Sequence, residues 1–480
     1  MVSIIYLSVV LLISIIAYYR SNTQMQNIIL VGISSTFLMM VSEVICMLLL
    51  LVFLTDFLIV QGYQKKKLKN KKYRHFLLLK IFLNVLFLVI VKQNFELIDN
   101  IIVSKFFLFT NRLSMISTLG ISFVLLQSVG YLLNAFWGIF DEEKDVFQTF
   151  LYYFYFPKIL CGPIELSHKF MPQLKSKRVF SITDFQIGFF QILKGICKKI
   201  IFANKISIMT APLFDSTHEF GSLSTVLILY LFFIQVYLDF SGYADIAEGI
   251  SKIFSIKITK GFENPFSAIS LQEFWSRWNI SLYNWIRTYV FLPLKFSQVP
   301  TSITIFACFM VSAMWHYISI NFAIWGLYHI IFIFIEIYLL SKIKILNNKW
   351  IGRIFVFNVM SFEGIFFRSP TTARTLEILS FLKNVSWVNI ESIGNSITSR
   401  QLLITPGWAP DAVGSSVFNF ILVAILLAVY KIYVFKNKSD LFEDISRAKL
   451  VPKLIFTSLV VFLLSTMGVI YDEPFIYSSF

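Results

Sequence analysis

Charged residues are scarce in this 480-residue chain. Aspartate, glutamate, lysine and arginine together make up 14% of it, whereas hydrophobic residues make up 57%. A soluble domain of ordinary composition carries about a quarter charged residues. The shortage of charge excludes a soluble globular protein and predicts a polytopic membrane protein.

Cysteine and histidine are also few. The four cysteines are scattered along the chain, without the spacing of a metal site or a redox pair: they are Cys46, Cys161, Cys197 and Cys308. Of the five histidines, His316 and His329 lie in the most apolar surroundings. Their separation is not the three or four residues that would place two ligands on one helix face. We therefore predict no metal site.

Long hydrophobic runs, by contrast, are abundant. A membrane helix needs about 20 mostly apolar residues, and about eleven segments are candidates. They are 3–19, 27–41, 43–62, 76–92, 114–137, 222–239, 302–318, 320–340, 353–367, 416–435 and 453–471. The region 27–62 is too long for one straight span, so we read it as two. The stretch 147–163 is short and ends at Gly162-Pro163, which indicates a partial or re-entrant span, while 185–203 is amphipathic and suits the membrane interface.

The formal charge of +15 is unevenly distributed along the chain. Its largest cluster is a short loop between two predicted spans, made of Lys65, Lys66, Lys67, Lys69, Lys71, Lys72 and Arg74. Such clusters mark cytoplasmic loops by the positive-inside rule. We therefore expect these residues to meet membrane lipid headgroups, not nucleic acid. Three crossings before this loop, which we favour, would place the N-terminus outside. If 27–62 is instead one bent span, the N-terminus lies inside.

His316 is the first candidate catalytic residue, because it is an ionisable side chain at the end of an apolar run. Ionisable groups at membrane depth are costly and mark functional sites by default. An imidazole is the usual general base for taking a proton from a hydroxyl. The alternative is a core histidine that donates to a backbone carbonyl, and the sequence spacing alone leaves both open.

The polar centre of the chain, 238–293, supplies a second candidate. Irregular backbone at membrane depth is tolerated only inside protein or around a water-filled cavity, so this region predicts an internal funnel. Asn279 within it can donate to an acyl carbonyl and accept from a hydroxyl. A structural hydrogen bond or helix cap is its alternative role.

Aromatic and basic residues around these two positions are candidate substrate-binding residues. They are Trp275, Trp278, Trp315, Tyr243, Arg277 and Arg287. The tryptophans form either the walls of an acyl or sugar pocket or an aromatic belt at the interface. The arginines hold either a donor phosphate or carboxylate, or pair with Glu263, Glu273 or Asp245.

Several motifs, taken in order, resemble the membrane-bound O-acyltransferase family, in particular its bacterial branch of alginate O-acetylation and teichoic-acid D-alanyl transfer proteins. The motifs are Gly120-Ile121-Ser122-Phe123, Gly162-Pro163, Met171-Pro172-Gln173-Leu174, the run 192–199, Asp239-Phe240-Ser241-Gly242-Tyr243-Ala244-Asp245, the stretch 274–293, Trp315-His316, Trp325-Gly326-Leu327-Tyr328-His329 and Phe366-Phe367-Arg368. The resemblance implies that His316 is the catalytic histidine. It also implies an all-α fold around a central funnel, in one integral-membrane domain over 1–480 with core motifs at 120–370.

This chain departs from the bacterial pattern at three positions. Asn279 stands where that branch usually carries a second histidine, so His316 would be the only imidazole base. Thr288 replaces a common aspartate, and Ser276 replaces a common arginine. These changes bear on the donor and acceptor more than on the reaction class.

The resemblance implies transfer of an acyl group, which we expect to be acetyl, to hydroxyls of a cell-surface or exported polysaccharide. The substrate would be a thioester donor such as acetyl-CoA or an acyl carrier, with no bound cofactor. The expected location is the cell (inner) membrane, and the expected partners are an extracytoplasmic acyltransferase or a cytoplasmic carrier protein. Two alternatives remain: D-alanyl transfer to teichoic acid, and a non-catalytic transporter or flippase of donor or glycan.

Overall fold

The computed structural model describes residues 14–41, 43–65, 71–106, 114–139, 145–159, 162–215, 219–338, 348–383 and 440–468, with residues 425, 430 and 433. Every regular element within these residues is helical, which confirms the all-α prediction. The first half contains α1 (Thr23–Val41), α2 (Glu43–Lys65), α3 (Lys71–Phe106), α4 (Ser114–Trp137), α5 (Val146–Phe154), α6 (Ser167–Phe170), α7 (Ile182–Ile196), α8 (Asn204–Asp215) and α9 (Ser222–Ile253).

The second half is more finely divided. It contains α10 (Leu271–Arg277), α11 (Ile280–Ile286), α12 (Leu292–Phe296), α13 (Thr301–His316), α14 (Ile320–Tyr338), α15 (Lys349–Phe362), α16 (Gly364–Arg368), α17 (Thr372–Phe381), α18 (Leu441–Arg447) and α19 (Leu450–Met467). Wider π-helical turns follow α7 at Cys197–Ala203 and α11 at Arg287–Phe291. Short 3₁₀ turns occur at Phe156–Lys158, Met171–Lys175 and Pro265–Ser267.

Within the described residues, six helices are long and apolar enough to cross a membrane. The crossing segments are Cys46–Tyr63, Arg74–Gln93, Gly120–Trp137, Ser222–Ile253, Ile320–Tyr338 and Lys349–Arg368. Each coincides with a predicted span, and the multi-pass prediction is confirmed. The predicted spans 302–318 and 453–471 correspond to shorter apolar helices, and most of 3–19 and 416–435 lies outside the described residues.

Two regions remained ambiguous from the sequence, 27–62 and 147–163, and both contain helices of defined length. The run 27–62 divides into two helices, α1 and α2, but it was predicted to be two spans and only α2 is among the six helices that could cross a membrane. The stretch 147–163 contains α5, which has nine residues and is too short to cross a bilayer. Asp145 caps this helix by accepting hydrogen bonds from the backbone N–H groups of Phe147 and Gln148.

Helix α9 is the central element of the fold. Its 32 residues span about 48 Å, more than the hydrocarbon thickness of a bilayer. The helix continues without a break through Gly242 and Gly249. These glycines let α7 approach: a Cβ at Gly249 would lie 2.6 Å from the carbonyl oxygen of Gly188, and one at Gly242 would lie 2.9 Å from that of Gly195. The backbones of α7 and α9 therefore touch.

Two large apolar clusters build the core. One joins α1–α5, and the other surrounds the middle of α9 together with α10, α11, α13, α14 and α15. The second cluster contains Trp278, Trp315 and Trp325 among its buried members. The candidate site lies within it.

Candidate active site

A cavity of about 770 Å³ lies in the central cluster, and His316 and Asn279 both line it. Helices α9, α10, α11, α13, α14, α15 and α16 supply its walls. The funnel expected from the polar centre of the sequence therefore has a counterpart, and it brings together the two residues predicted to carry the chemistry.

The cavity is elongated along one face of α13. Thr301, Ile305, Cys308, Ser312 and His316 line it at the three- and four-residue spacing of a single helix face. Fifteen residues at 1.5 Å each separate the two ends of this stripe by about 22 Å. His316 thus lies at one end of a long apolar slot whose other end is at Thr301.

His316 is the last residue of α13 and is 6% exposed. Its ring packs against four aromatic rings at centroid distances of 4.7 to 5.8 Å, those of Trp315, Phe367, Trp325 and Phe322. The next residue, Tyr317, is extended and ends the helix. The imidazole is therefore held in one orientation by its surroundings.

Asn279 lies at a break between two short helices, α10 and α11. Its backbone is left-handed, with φ 40° and ψ 56°, a conformation that asparagine tolerates better than most residues. Two hydrogen bonds to the preceding loop hold the break: Glu263 N–H donates to the Arg277 carbonyl at 2.9 Å, and Ile280 N–H donates to the Gly261 carbonyl at 3.0 Å.

The Asn279 side chain is oriented by its neighbour. Ser281 Oγ donates to Asn279 Oδ1 at 3.3 Å, and the residue is 5% exposed. Because the amide oxygen is engaged in this way, the NH₂ group is the part that can donate to a ligand in the cavity. That arrangement suits stabilisation of a carbonyl oxygen.

The predicted tryptophans divide into two groups. Trp275 and Trp278 line the cavity, and Trp278 stacks on Phe274 and Phe233 at 5.3 and 5.7 Å. Trp315 does not line it: its ring lies between His316 and Phe123, 5.4 Å from the latter. Tyr243 also lies off the cavity, on α9, packed against the central cluster.

The two predicted arginines have different surroundings. Arg277 forms an ion pair with Glu273 at 2.5 Å and also donates to Ser267, so it follows the structural-pairing alternative. Arg287 lines the cavity, is exposed, and forms no ion pair with any other described residue. Of the two, only Arg287 is placed to meet an anionic ligand there.

One polar group on the cavity wall, the carboxylate of Glu363, was not identified from the sequence. Glu363 lines the cavity and accepts a hydrogen bond from Trp325 Nε1 at 3.0 Å, and His329 Nε2 bonds to the same carboxylate oxygen. A charge inside the apolar run 353–367 was the available signal. Trp325 in turn packs edge-on against the His316 ring at 5.3 Å, so Glu363 anchors a wall of the site.

The described residues contain no cluster of metal-ligand side chains. Across the part of the chain that the structure describes, no three His, Cys, Asp or Glu side chains come close enough to hold a metal ion. The polar groups on the cavity wall are instead an imidazole, amides, hydroxyls, an arginine and two carboxylates, Glu336 and Glu363. Such a set suits an organic ligand bound by hydrogen bonds.

Comparison with known proteins agrees with this arrangement. Residues 140–367 match the membrane-bound O-acyltransferase (MBOAT) family, and this segment includes both Asn279 and His316. An all-helical, multi-pass fold with a buried histidine on a long internal slot is consistent with that match. The segment 140–367, which holds the candidate site, is therefore the part of the chain that is similar to this family.

Individual relatives are distant and differ in substrate. A peptidoglycan O-acetyltransferase of Helicobacter pylori is 25% identical over 309 residues, covering 61% of this chain and 57% of the relative. A probable alginate O-acetylase AlgI of Pseudomonas syringae is 26% identical, covering 45% and 42%. A teichoic acid D-alanyltransferase of Bacillus subtilis is 28% identical, covering 45% and 58%. The chain thus spans about half the length of these relatives.

Proposed function

We propose that this chain is an O-acyltransferase that moves an acetyl group from a thioester donor to hydroxyls of a cell-surface or exported polysaccharide. The observation that carries the proposal is the shared cavity of His316 and Asn279. A general base and an amide donor that line one cavity are two groups that promote acyl transfer to an alcohol.

The reaction assigns one role to each residue. The unprotonated nitrogen of His316 takes the proton from the acceptor hydroxyl as its oxygen attacks the acyl carbonyl carbon. The Asn279 NH₂ group donates to the carbonyl oxygen while negative charge develops there. The carbon–sulfur bond then breaks, and the departing thiolate receives the proton from His316, which restores the free base.

The donor is proposed to lie along α13. An acetyl thioester such as acetyl-CoA, or an acyl carrier, presents its reactive group on a long flexible arm, and the slot from Thr301 to His316 is about 22 Å long. Arg287 on the cavity wall supplies a positive charge without an ion-pair partner among the described residues. A guanidinium of this kind binds phosphate or carboxylate oxygens.

The membrane setting explains why such a slot is useful. Activated thioesters are cytoplasmic, whereas the acceptor glycan lies on the other side of the cell membrane. A multi-pass protein with an internal cavity lets the two substrates reach one histidine from opposite sides. In a relay, this chain would pass the acyl group to an extracytoplasmic acyltransferase partner, which would transfer it to the glycan.

A second candidate is D-alanyl transfer from a carrier protein to teichoic acid. The observation that favours it is the similarity to the teichoic acid D-alanyltransferases of Bacillus subtilis and Streptococcus thermophilus, at 28% and 25% identity. The same base and amide would serve, because D-alanine is also transferred as an acyl group to a hydroxyl. The two candidate functions are distinguished by the acid that is released from the polysaccharide, which is acetate for the first and D-alanine for the second.

The test is a measurement of acids released from the surface polysaccharide by mild base. Wild type, a deletion strain, His316→Ala and the matched control His75→Ala are compared, since His75 is exposed on α3. We expect acetate to be lost in the deletion and in His316→Ala but kept in the control. Loss of D-alanine instead would favour the second candidate, and unchanged esters in His316→Ala would overturn both.

A further inference from the structure

The C-terminal end of α13 is held by two side chains from a helix that is distant in sequence. Lys92 Nζ donates to the backbone carbonyl of His316 at 2.6 Å and also to that of Trp315. Gln93 Nε2, next along α3, donates to the carbonyl of Ile318 at 2.7 Å. Three carbonyls around the candidate base thus have donors from α3.

These contacts supply hydrogen-bond donors to carbonyl groups at the C-terminal end of a helix. The last four carbonyls of a helix lack partners within it and carry the negative end of the helix dipole. Tyr317 is extended, so α13 cannot continue and satisfy them itself. A lysine ammonium, which offers three donors and a positive charge, is the side chain best suited to this position.

The position of Lys92 in α3 is a second indication that its contacts with α13 matter. Several residues of α3 face outward, for example Phe82 at 61% and Ile90 at 44% exposure. A charge within a membrane-spanning segment is costly and is kept where it finds partners inside the protein. Lys92 finds them at the backbone of His316, and its ammonium also lies 5.6 Å from the ring centroid of Trp315.

We propose that Lys92 is a positioning residue for His316, an inference that rests on the proposed function. The His316 ring is already enclosed by Phe322, Trp325 and Phe367. Its remaining freedom is movement of the terminal turn of α13, which Lys92 restrains. A displacement of about 1 Å at a reacting group can cost roughly a hundredfold in rate.

The experiment compares Lys92→Met, which keeps the apolar stem but removes the donors, with Lys92→Arg, which keeps a charged donor. The matched control is Lys80→Met, also on α3, because Lys80 bonds to Asn84 and Asp56 and not to α13. The readout is ester-linked acid on surface polysaccharide, divided by the amount of monodisperse protein recovered from the membrane.

We expect Lys92→Met to reduce ester per folded molecule by about 10- to 100-fold. Lys92→Arg should recover most of it, and Lys80→Met should lower the protein yield without lowering ester per molecule. Full ester content in Lys92→Met overturns the proposal. So does an equal loss per molecule in Lys80→Met, which would reveal a purely structural effect.

His316→Ala in the same series separates the two proposals. If His316→Ala is inactive while Lys92→Met is fully active, the positioning role fails and the proposed function stands. If His316→Ala keeps its ester, the proposed function fails, and the positioning role fails with it.

Discussion

At the scale of single residues, the departure from the bacterial pattern at Asn279 defines the site. An asparagine cannot act as a base, so the acid–base steps would fall on His316 alone. The side chain instead offers its NH₂ group, because Ser281 occupies the amide oxygen. The two residues would therefore have different roles, and substitutions at Asn279 can test this.

We expect Asn279→Asp and Asn279→Gly each to lower acyl transfer by about a hundred- to a thousandfold, the usual cost of losing one oxyanion donor. Aspartate keeps the shape but has no N–H to donate. Glycine keeps the left-handed backbone without strain and removes the side chain. The measurement is ester per folded molecule, and near-normal transfer in Asn279→Gly would show that the amide has no part in the reaction.

The sequence indicated much of the site but could not separate its two arginines. His316, Asn279, Trp275, Trp278 and Arg287 were named from residue type, and all five line the cavity. The roles assigned to them remain predictions. Arg277 was named on the same grounds yet pairs with Glu273. The direction of these side chains depends on the backbone break at Asn279, which periodicity does not reveal.

At the scale of elements, the close approach of α7 and α9 is the feature most open to test. We expect Gly249→Ala to destabilise the protein by about 1 to 3 kcal/mol, because its Cβ would lie 2.6 Å from the Gly188 carbonyl oxygen. The control is Gly32→Ala on α1, where no atom lies within 4 Å and alanine is the better helix former. Thermal unfolding in detergent measures both, and equal midpoints would contradict the packing described.

The C-terminal helices contact α7 through an ion pair as well as through an apolar cluster. Asp440 caps α18 by accepting from the N–H groups of Phe442 and Glu443, and lies 3.2 Å from Lys194 on α7. Burial acts to raise the pKa of Asp440, but the charge and hydrogen bond of Lys194, the hydrogen bond from Tyr430 and the charge of Lys198 together lower it. A lowered carboxyl pKa contributes stability that is present at neutral pH and is lost as pH falls through the folded-state pKa.

We therefore expect Asp440→Asn to loosen α18 and α19, since asparagine retains the cap but loses the charge. Limited proteolysis in detergent should cut the C-terminal segment faster in the variant at pH 7. At acidic pH the wild type should approach the variant as Asp440 becomes protonated. Identical cleavage of the two proteins at pH 7 would show that the pair does not hold this segment.

Some helices could be identified from the sequence along their whole length and others only in part, for a physical reason. Long apolar runs such as 222–239 were identified because lipid imposes a minimum length and composition. The end of α9 was not, since the helix continues to Ile253 through Asp239 and Asp245, whose charges pair with Lys199 and Lys198 of the neighbouring segment. Tertiary ion pairs let a helix extend past the point at which its sequence turns polar.

At the scale of the whole molecule, the orientation in the membrane remains a prediction from charge. The positive-inside rule places the basic stretch 65–74, which includes the end of α2 and the start of α3, in the cytoplasm. A single-cysteine variant, Asn70→Cys in a background without the four native cysteines, should react with a membrane-impermeant maleimide only after the cells are opened. Reaction in intact cells would reverse the orientation and, with it, the side from which the donor enters.

The single-domain organisation over 1–480 also stays a prediction, whereas the similarity to the family covers residues 140–367. The substrate cannot be predicted from the fold, because relatives of similar identity are named for peptidoglycan, alginate and teichoic acid. These acceptors share a hydroxyl and differ elsewhere. Acyl chemistry at His316 is therefore the claim on which the account depends.

The most direct measurement is the acetate that mild base releases from surface polysaccharide in cells carrying His316→Ala, compared with wild type and His75→Ala. We expect acetate in the His316 variant, present in the membrane at normal levels, to fall to the level of the deletion strain, while the control keeps its acetate. Acetate at the wild-type level in His316→Ala would contradict acetyl transfer through this histidine.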